Sequence, residues 1–269
     1  MSKAIEQFET FWRQMKDLNP RERYVHPADE DIMTPAAAEK SLLQLHILPL
    51  PVNGNLRESD IVLVMLNSGY GDDDAAWDRV YPAEYEELQA SKRRNIHQLY
   101  TVEDEYPFYD LNPLFCNHPG ADYWKGGANL VVPRKRRGPA KLADLATHLS
   151  RHWNASLPAV YRELSNRLAV IERLAYPSKN SDKIDSRLLN TLPSCAQSFR
   201  LVTGLIAEGE KLVIIMRQAK AFGFTGPEDS TENLVVYKPV GEAIGAQMTM
   251  KSRGGPSMYT RMVRRRLTT

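Results

Sequence analysis

Cysteine, long apolar runs and nucleotide-binding glycine motifs are scarce or absent in this chain, and each absence excludes a class of protein. Among 269 residues there are only two cysteines, Cys116 and Cys195, so no disulfide framework is expected and a reducing, cytoplasmic compartment is favoured. No apolar run approaches the roughly 20 residues that cross a bilayer. The first residues also lack the apolar core of a signal peptide.

Motifs that hold nucleotides or metals are missing as well. Neither G-x-G-x-x-G nor G-x-x-x-x-G-K-[ST] occurs, so no nucleotide cofactor is expected. His148 and His152 have the spacing of two ligands on one helix, but no H-E-x-x-H motif or cysteine pair accompanies them, which favours surface or half-buried histidines. The run Asp72-Asp73-Asp74 could attract a divalent cation, although acidic residues also favour the start of a helix. We therefore expect no metal.

Positive charge is concentrated in two blocks, although the net charge is only +2. One block covers residues 134–137, and the other comprises the C-terminal arginines Arg261, Arg264, Arg265 and Arg266. Clustered Arg and Lys favour a polyanionic partner such as double-stranded DNA, because an array of phosphates binds them together. A solvated loop and a basic tail would give the same pattern.

Apolar segments predict four buried strands, at residues 61–66, 170–176, 212–216 and 234–237. Helices are predicted before and between them, at 3–16, 83–98, around 142–149, at 157–167 and from an N-cap at Ser194 to a stop at Gly209. Pro177-Ser178 is expected to end the second strand, and Asn53-Gly54 to form a turn. Strands separated by helices imply right-handed crossovers. The sequence therefore predicts a three-layer α/β/α sandwich around a central, mainly parallel four-stranded sheet.

The strand at 61–66 runs into a polar, glycine-rich turn, Asn67-Ser68-Gly69-Tyr70-Gly71. A tight turn that needs permissive backbone angles would explain these residues without a function. However, the aromatic segment 106–113 and the strand ends after Tyr176 and Tyr237 are expected beside it, because the carboxyl ends of parallel strands share one edge of a sheet. A polar cleft with aromatic walls suits flat, polar ligands such as nucleobases.

The strand followed by Asn67-Ser68-Gly69 resembles the first motif of the uracil-DNA glycosylase superfamily, in the mismatch-glycosylase form in which a hydrophobic strand ends in G-x-N-P-G. Asn67 matches the catalytic Asn and Gly69 the closing Gly, whereas Ser68 replaces the Pro. The aromatic segment is similar to the place where that superfamily presents a base-stacking Phe. The His-Pro-Ser loop of the superfamily has no counterpart after the last strand; Lys238-Pro239 and residues 253–257 are the nearest substitutes.

The resemblance implies a monofunctional DNA glycosylase: one domain over 1–269, with an N-terminal helical extension over 1–40 and an inserted loop-rich region over 72–138. Asn67 would hold the attacking water, and backbone N–H groups of residues 69–71 would stabilise the departing base. The residues expected to contact the base are Gly69, Tyr70, Phe108, Tyr109, Asp110, Asn112, Tyr176, Ser178 and Lys179. Those expected to bind DNA phosphates are Arg134, Lys135, Arg136, Lys238, Arg253, Arg264 and Arg265.

The superfamily includes members that act on modified phage bases in bacterial defence. The base removed is therefore expected to be uracil-like or modified, including a hypermodified cytosine such as glucosylated hydroxymethylcytosine in phage DNA. Two alternatives remain open. One is a non-catalytic nucleic-acid-binding protein that senses modified bases on the same scaffold, and the other is a small-molecule enzyme such as a nucleoside hydrolase.

Overall fold

The computed structural model describes residues 2–19, 22–101, 103–125, 141–217, 219–238 and 248–264. Within them, five strands form one sheet: β1 (Val52–Asn53), β2 (Ile61–Gly69), β3 (Leu168–Ser178), β4 (Leu212–Ile215) and β5 (Leu234–Val236). The strand order is β1-β3-β2-β4-β5, and of these strands only β1 runs antiparallel to its neighbour. The predicted α/β fold with a mainly parallel sheet is confirmed, with one short edge strand more than the four expected.

Helices of the described residues occupy both faces of this sheet. They are α1 (Lys3–Trp12), α2 (Pro35–Lys40), α3 (Asp72–Val80), α4 (Pro82–His97), α5 (Pro119–Lys125), α6 (Ala143–Trp153), α7 (Leu157–Arg167), α8 (Ser186–Thr191), α9 (Pro193–Glu208) and α10 (Gly254–Val263). None of the helices in this part of the chain combines the length and the apolar character that crossing a membrane requires.

The alternation of side chains along each strand builds the two outer layers. Val62 and Val64 of β2 pack on the core that contains Phe8 and Trp12 of α1 and residues of α9. Their neighbours Ile61, Leu63 and Met65 point to the opposite face, where they pack with α6, α7 and α10. Because successive residues of a strand face opposite sides, the first six residues of β2 are all apolar and the sheet lies between two helical layers.

Several predicted boundaries differ from the observed ones. β2 does not end at Leu66 but continues to Gly69, because Asn67 and Gly69 still pair with β3. The first helix, predicted to reach residue 16, ends at Trp12. Ser194 is not the N-cap of α9: the N-cap is Leu192, two residues earlier, and Pro193 is the first helical residue. Proline is preformed for that position and lacks the N–H that the first turn leaves unpaired. β3 does not end before Pro177-Ser178, because its pairing with β2 resumes at Ser178 after an irregularity. The predicted stop of α9 at Gly209 is confirmed, with a left-handed φ of +68°.

The flanking segments are part of the fold. α1 contributes Ile5, Phe8 and Trp12 to the same core as β2 and β3, so the N-terminal helix packs directly on the sheet layer. The region 72–138, expected to be loop-rich, carries α3, α4 and α5 in its described part. Asp72, Asp73 and Asp74 lie in the first turn of α3, so the prediction that these carboxylates begin a helix is confirmed.

Candidate functional site

A cavity of about 460 Å³ opens at the carboxyl ends of β2, β3 and β4. Its floor and one side come from the sheet: the end of β2 with the turn after it, the end of β3, and Arg217, which follows β4. The opposite wall comes from α4, from the 3₁₀ turn Tyr109–Leu111 and from α5. This is the edge at which the sequence predicts a polar cleft, and the edge where open α/β sheets bind ligands.

The amide of Asn67 has a fixed orientation at this cavity. Asn67 continues the face of β2 that carries Leu63 and Met65, and it is half-buried. Its Nδ2 donates to Ser178 Oγ (2.8 Å) and to the carbonyl of Ser68 (2.9 Å). A carbonyl can only accept, so the nitrogen must face this way. The side-chain oxygen Oδ1 therefore points away from these partners, and no donor among the described residues reaches it.

An irregularity in β3 brings Ser178 to Asn67. Asn67 lies opposite Leu174, but Gly69 lies opposite Ser178, so β3 contains two more residues than β2 over this stretch. Such bulges redirect side chains and are frequent beside active sites. The N–H of Tyr70 then donates to the carbonyl of Ser178 (3.1 Å), which holds the turn against β3.

The backbone donors expected to stabilise a departing base are already engaged. The N–H of Tyr70 is bound to Ser178, and the N–H of Gly71 donates to Asp74 Oδ2 (2.8 Å) at the start of α3. The prediction that the turn offers free N–H groups at residues 70 and 71 is therefore wrong. The two causes differ: Asp74 at the start of α3 accepts from Gly71, whereas the backbone carbonyl of Ser178 on β3 accepts from Tyr70.

Glu172 lies on the floor of the cavity and was not singled out in the sequence. It pairs in register with Met65 and occupies the face of β3 that carries Val170, so it lies on the same side of the sheet as Asn67. Its side chain is only 6% exposed, and its Oε2 has no hydrogen-bond partner in the described part of the chain. Burial raises the pKa of Glu172 to about 8, although the positive charge of Arg217 opposes the shift. A carboxylate inside an apolar strand was the signal available in the sequence.

Asp110 and Lys92 form a second buried polar group on the opposite wall. Asp110 Oδ2 accepts from Nδ2 of Asn53 (2.9 Å), and Oδ1 of Asn53 accepts from the N–H of Tyr109 (3.2 Å). The short strand β1 thus positions this wall. Burial raises the pKa of Asp110 to about 7 against the opposing charges of Lys92 and Lys125, and burial lowers the pKa of Lys92.

His118 and Asp74 complete this wall. Nδ1 of His118 accepts from the N–H of Gly120 (3.0 Å), so the neutral ring carries its proton on Nε2, which lies 3.8 Å from Asp74 Oδ1. Burial lowers the pKa of His118 to about 3 and raises that of Asp74 to about 6. In the part of the chain that the structure describes, no three His, Cys, Asp or Glu side chains are arranged to hold a metal.

The predicted base-contacting residues divide between the cavity and the interior. Six of them line the cavity: Gly69, Tyr70, Tyr109, Asp110, Ser178 and Lys179. Phe108 is fully buried against Trp124 in the apolar core. Tyr176 is buried with its hydroxyl bound to Asp29 (2.5 Å), and Asn112 caps the next 3₁₀ turn through Leu114 N–H (2.9 Å). The structure therefore places Phe108, Tyr176 and Asn112 outside the cavity.

The predicted phosphate-binding residues lie at two edges of the sheet. Arg253 precedes α10, whose first residue, Gly254, donates to the hydroxyl of Tyr237 (3.0 Å) just after β5, at the edge that holds the cavity. Lys238 is exposed at the same edge. Arg264, at the other end of α10, lies 3.7 Å from Glu232, which precedes β5, so Arg264 is at the edge opposite to the cavity. Arg134, Lys135, Arg136 and Arg265 lie outside the described residues.

Comparison of the chain with protein-family models, with curated proteins and with solved structures finds no match.

Proposed function

We propose that this protein is a monofunctional DNA glycosylase, which hydrolyses the N-glycosidic bond of a base flipped into the cavity and leaves an abasic site. The observation that carries the proposal is the orientation of Asn67. Its nitrogen is held by Ser178 and by the carbonyl of Ser68, and its oxygen is left for a water molecule at a polar cavity. The cavity volume of about 460 Å³ lies within the range of about 300–1,000 Å³ that is usual for small-molecule sites.

Asn67 and Glu172 lie at different depths in the cavity, and this difference fits the geometry of a flipped nucleotide. The sugar of such a nucleotide stays attached to the DNA backbone, so the bond to be broken lies near the mouth and the base edge lies deepest. Asn67 is half-buried, whereas Glu172 on the neighbouring strand is buried. A water bound to Asn67 would therefore be near the sugar, and Glu172 at the floor of the cavity would contact the base.

The chemistry that these residues support depends on positioning. Water attacks the anomeric carbon of the sugar, the bonding electron pair leaves with the base, and the base takes up a proton. An amide oxygen accepts a hydrogen bond from water but is a poor general base, so the sugar must develop positive charge before the water adds. Lys179 and Arg217, which line the cavity, supply positive charge for the departing base.

The substrate class remains that implied by the resemblance: a uracil-like or modified base, including a hypermodified cytosine such as glucosylated hydroxymethylcytosine in phage DNA. We propose to incubate the protein with normal, uracil-containing and hypermodified phage DNA and with free nucleosides, and then to cleave abasic sites with alkali. Cleavage of one DNA class that Asn67→Ala abolishes is the expected result. Turnover of free nucleosides without DNA cleavage would instead identify a nucleoside hydrolase.

A specific observation also favours a second candidate, a base-sensing protein without catalysis. The N–H groups of Tyr70 and Gly71 are engaged by Ser178 and Asp74, so they are not available to stabilise a leaving base. A protein that binds a flipped base without releasing it needs no such donors. Salt-sensitive DNA binding without abasic product, in the same incubation, would identify this function.

A further inference from the structure

We propose that Glu172 recognises the edge of the bound base at the floor of the cavity, as a neutral carboxylic acid that donates one hydrogen bond and accepts another. The identity of the ligand as a nucleobase rests on the proposed function. The role of Glu172 rests on its own geometry, which is independent of whether the base is later released.

The position of Glu172 is that of a group built to meet a ligand. It is 6% exposed, it lines the cavity, and its Oε2 has no hydrogen-bond partner among the described residues. Buried polar atoms in folded proteins are almost always paired, because an unpaired one loses its hydration without compensation. A ligand that fills the cavity would supply the missing partner.

The surroundings of Glu172 keep its carboxyl protonated at neutral pH. Burial is the largest influence, and the negative charge of Asp110 on the opposite wall acts in the same direction. Arg217, after β4, opposes both. The phenol groups of Tyr109 and Tyr123 lie close enough to interact electrostatically with this carboxyl, and both line the cavity. The resulting pKa of about 8 leaves most molecules with a neutral Glu172 at pH 7.

A neutral carboxyl selects a particular pattern on the ligand. Its O–H donates and its C=O accepts, side by side. It therefore pairs with a heterocycle that presents an acceptor next to a donor, as N3 and the amino group of cytosine do, or O4 and N3–H of uracil. An ionised carboxylate can only accept, and it would repel the acceptor of such an edge. Binding should therefore require the protonated form.

The test measures the equilibrium binding of two small probes, 1-methylcytosine and 1-methyluracil. Ligand-observed NMR reports the affinity of each probe at pH values between 6 and 9. We expect at least one probe to bind the wild-type protein at pH 6. Its affinity should fall about tenfold by pH 9, because only the protonated fraction binds and that fraction is about one tenth one pH unit above a pKa of about 8.

Three variants make the result specific to Glu172. Glu172→Gln presents a donor and an acceptor at every pH, so it should bind with no such fall; any ionisation of the probe itself is common to both proteins. Glu172→Ala should lose binding. Glu163→Gln changes another buried glutamate, which pairs with Arg167 on α7 (3.5 Å), and should keep the wild-type pH profile. Thermal melts of all variants confirm that they are folded.

The outcomes separate this inference from the proposed function. No binding of either probe to the wild type, unchanged binding by Glu172→Ala, or the same pH dependence in Glu172→Gln would overturn the role of Glu172. Formation of abasic sites alongside any of these results would leave the glycosylase proposal standing. Conversely, the expected binding pattern without abasic product would support Glu172 and refute catalysis.

Discussion

Among single residues, Asn67 has a side chain of fixed orientation at the cavity, because its nitrogen is bound to groups that accept hydrogen bonds. We expect Asn67→Ala to lower base release by at least about 10²-fold, since a misplaced nucleophile alone can cost that much. Asn67→Asp should also lower release, because a carboxylate cannot donate to the carbonyl of Ser68, so its oxygens lose the orientation that the Asn67 amide has. Single-turnover assays on the substrate found in the DNA incubation measure both rates.

Asn112→Ala is the matched control for this prediction. It removes the same amide from a neighbouring part of the fold, where Asn112 caps a 3₁₀ turn outside the cavity. Base release by this variant should stay close to that of the wild type. Equal losses in the two alanine variants would show that the effect is general destabilisation and not loss of the bound water.

Glu172 also affects the pH dependence of stability. Its pKa is about 8 in the folded protein, against 4.5 for an ordinary glutamate, so the folded state binds the proton more tightly than the unfolded state. Protonation of Glu172 therefore contributes to the free energy of unfolding. This contribution is fully present below about pH 4.5 and is lost as the pH rises towards 8 and beyond. Glu172→Gln should therefore exceed the wild type in melting temperature at pH 8–9, with the difference shrinking towards pH 5.

Thermal unfolding by circular dichroism at several pH values measures this difference. Glu163→Gln should show no such gain at high pH, because Glu163 has a cationic partner in Arg167. A Glu172→Gln variant with the same pH profile as the wild type would mean that Glu172 is ionised in the folded protein.

The residues of the site were predictable where the sequence signal is local. Tyr70 and Lys179 directly follow strands and Asn67 lies near the carboxyl end of β2, and the rule that ligands bind at these strand ends is enough to place them at the cavity. Glu172, Lys92 and His118 reach it only through the pairing of β2 with β3 and the folding of α4 and α5 over the sheet, which local spacing does not contain. Phe108 and Tyr109 are adjacent in sequence, yet only Tyr109 lines the cavity, since Phe108 packs on Trp124.

At the scale of elements, the short strand β1 is held close to β3 by a glycine. Gly54 follows β1 with φ of +114°, and a Cβ at this position would lie 2.4 Å from the carbonyl oxygen of Leu168. We expect Gly54→Ala to destabilise the protein by more than about 3 kcal/mol, because a backbone clash adds to the strain of an unfavourable φ. Urea unfolding at equilibrium measures the change.

Gly223→Ala provides the comparison for this prediction. Gly223 also has a positive φ, of +83°, but no atom lies within 4 Å of the position that its Cβ would occupy. It should lose only about 1–2 kcal/mol, the usual cost of a left-handed backbone. Similar losses in the two variants would mean that β1 can move away from β3 without consequence.

Elements with a strong periodic pattern were predicted well, and those that depend on distant partners were not. The helix predicted at 157–167 coincides with α7, because its apolar positions and Ser156 cap are all local. The strand β1 was not predicted, and its second residue, Asn53, was expected in a turn with Gly54. Two residues carry no periodic pattern, and only the pairing with Ile171 and Val170 of β3 makes them a strand. The extension of β3 through Pro177 likewise depends on β2.

At the scale of the whole molecule, α10 crosses one face of the sheet and has an arginine next to each of its ends. Arg253 lies at the cavity edge and Arg264 at the opposite edge, beside Glu232. A duplex with one base in the cavity would therefore contact the side of Arg253. We expect Arg253→Glu to weaken DNA binding and to reduce the slope of log affinity against log salt by about 1, the contribution of one phosphate contact.

Arg264→Glu is the control at the opposite edge. The sequence alone placed Arg264 with the phosphate-binding residues, but its location predicts little change in affinity or in salt slope. Fluorescence anisotropy with a labelled duplex at several salt concentrations distinguishes the two variants. Equal effects would show that DNA covers both edges of the sheet.

The pairing of Asn67 with Ser178 joins residues 111 positions apart in the chain. Between them, the described residues form five α-helices. Closing so long a segment is entropically costly, and contacts of this kind form late in folding. During synthesis, the segment with Asn67 is therefore made well before its partner strand, and a partly made chain has no cavity in which to hold a base. The activity proposed for this protein can appear only when the sheet is complete.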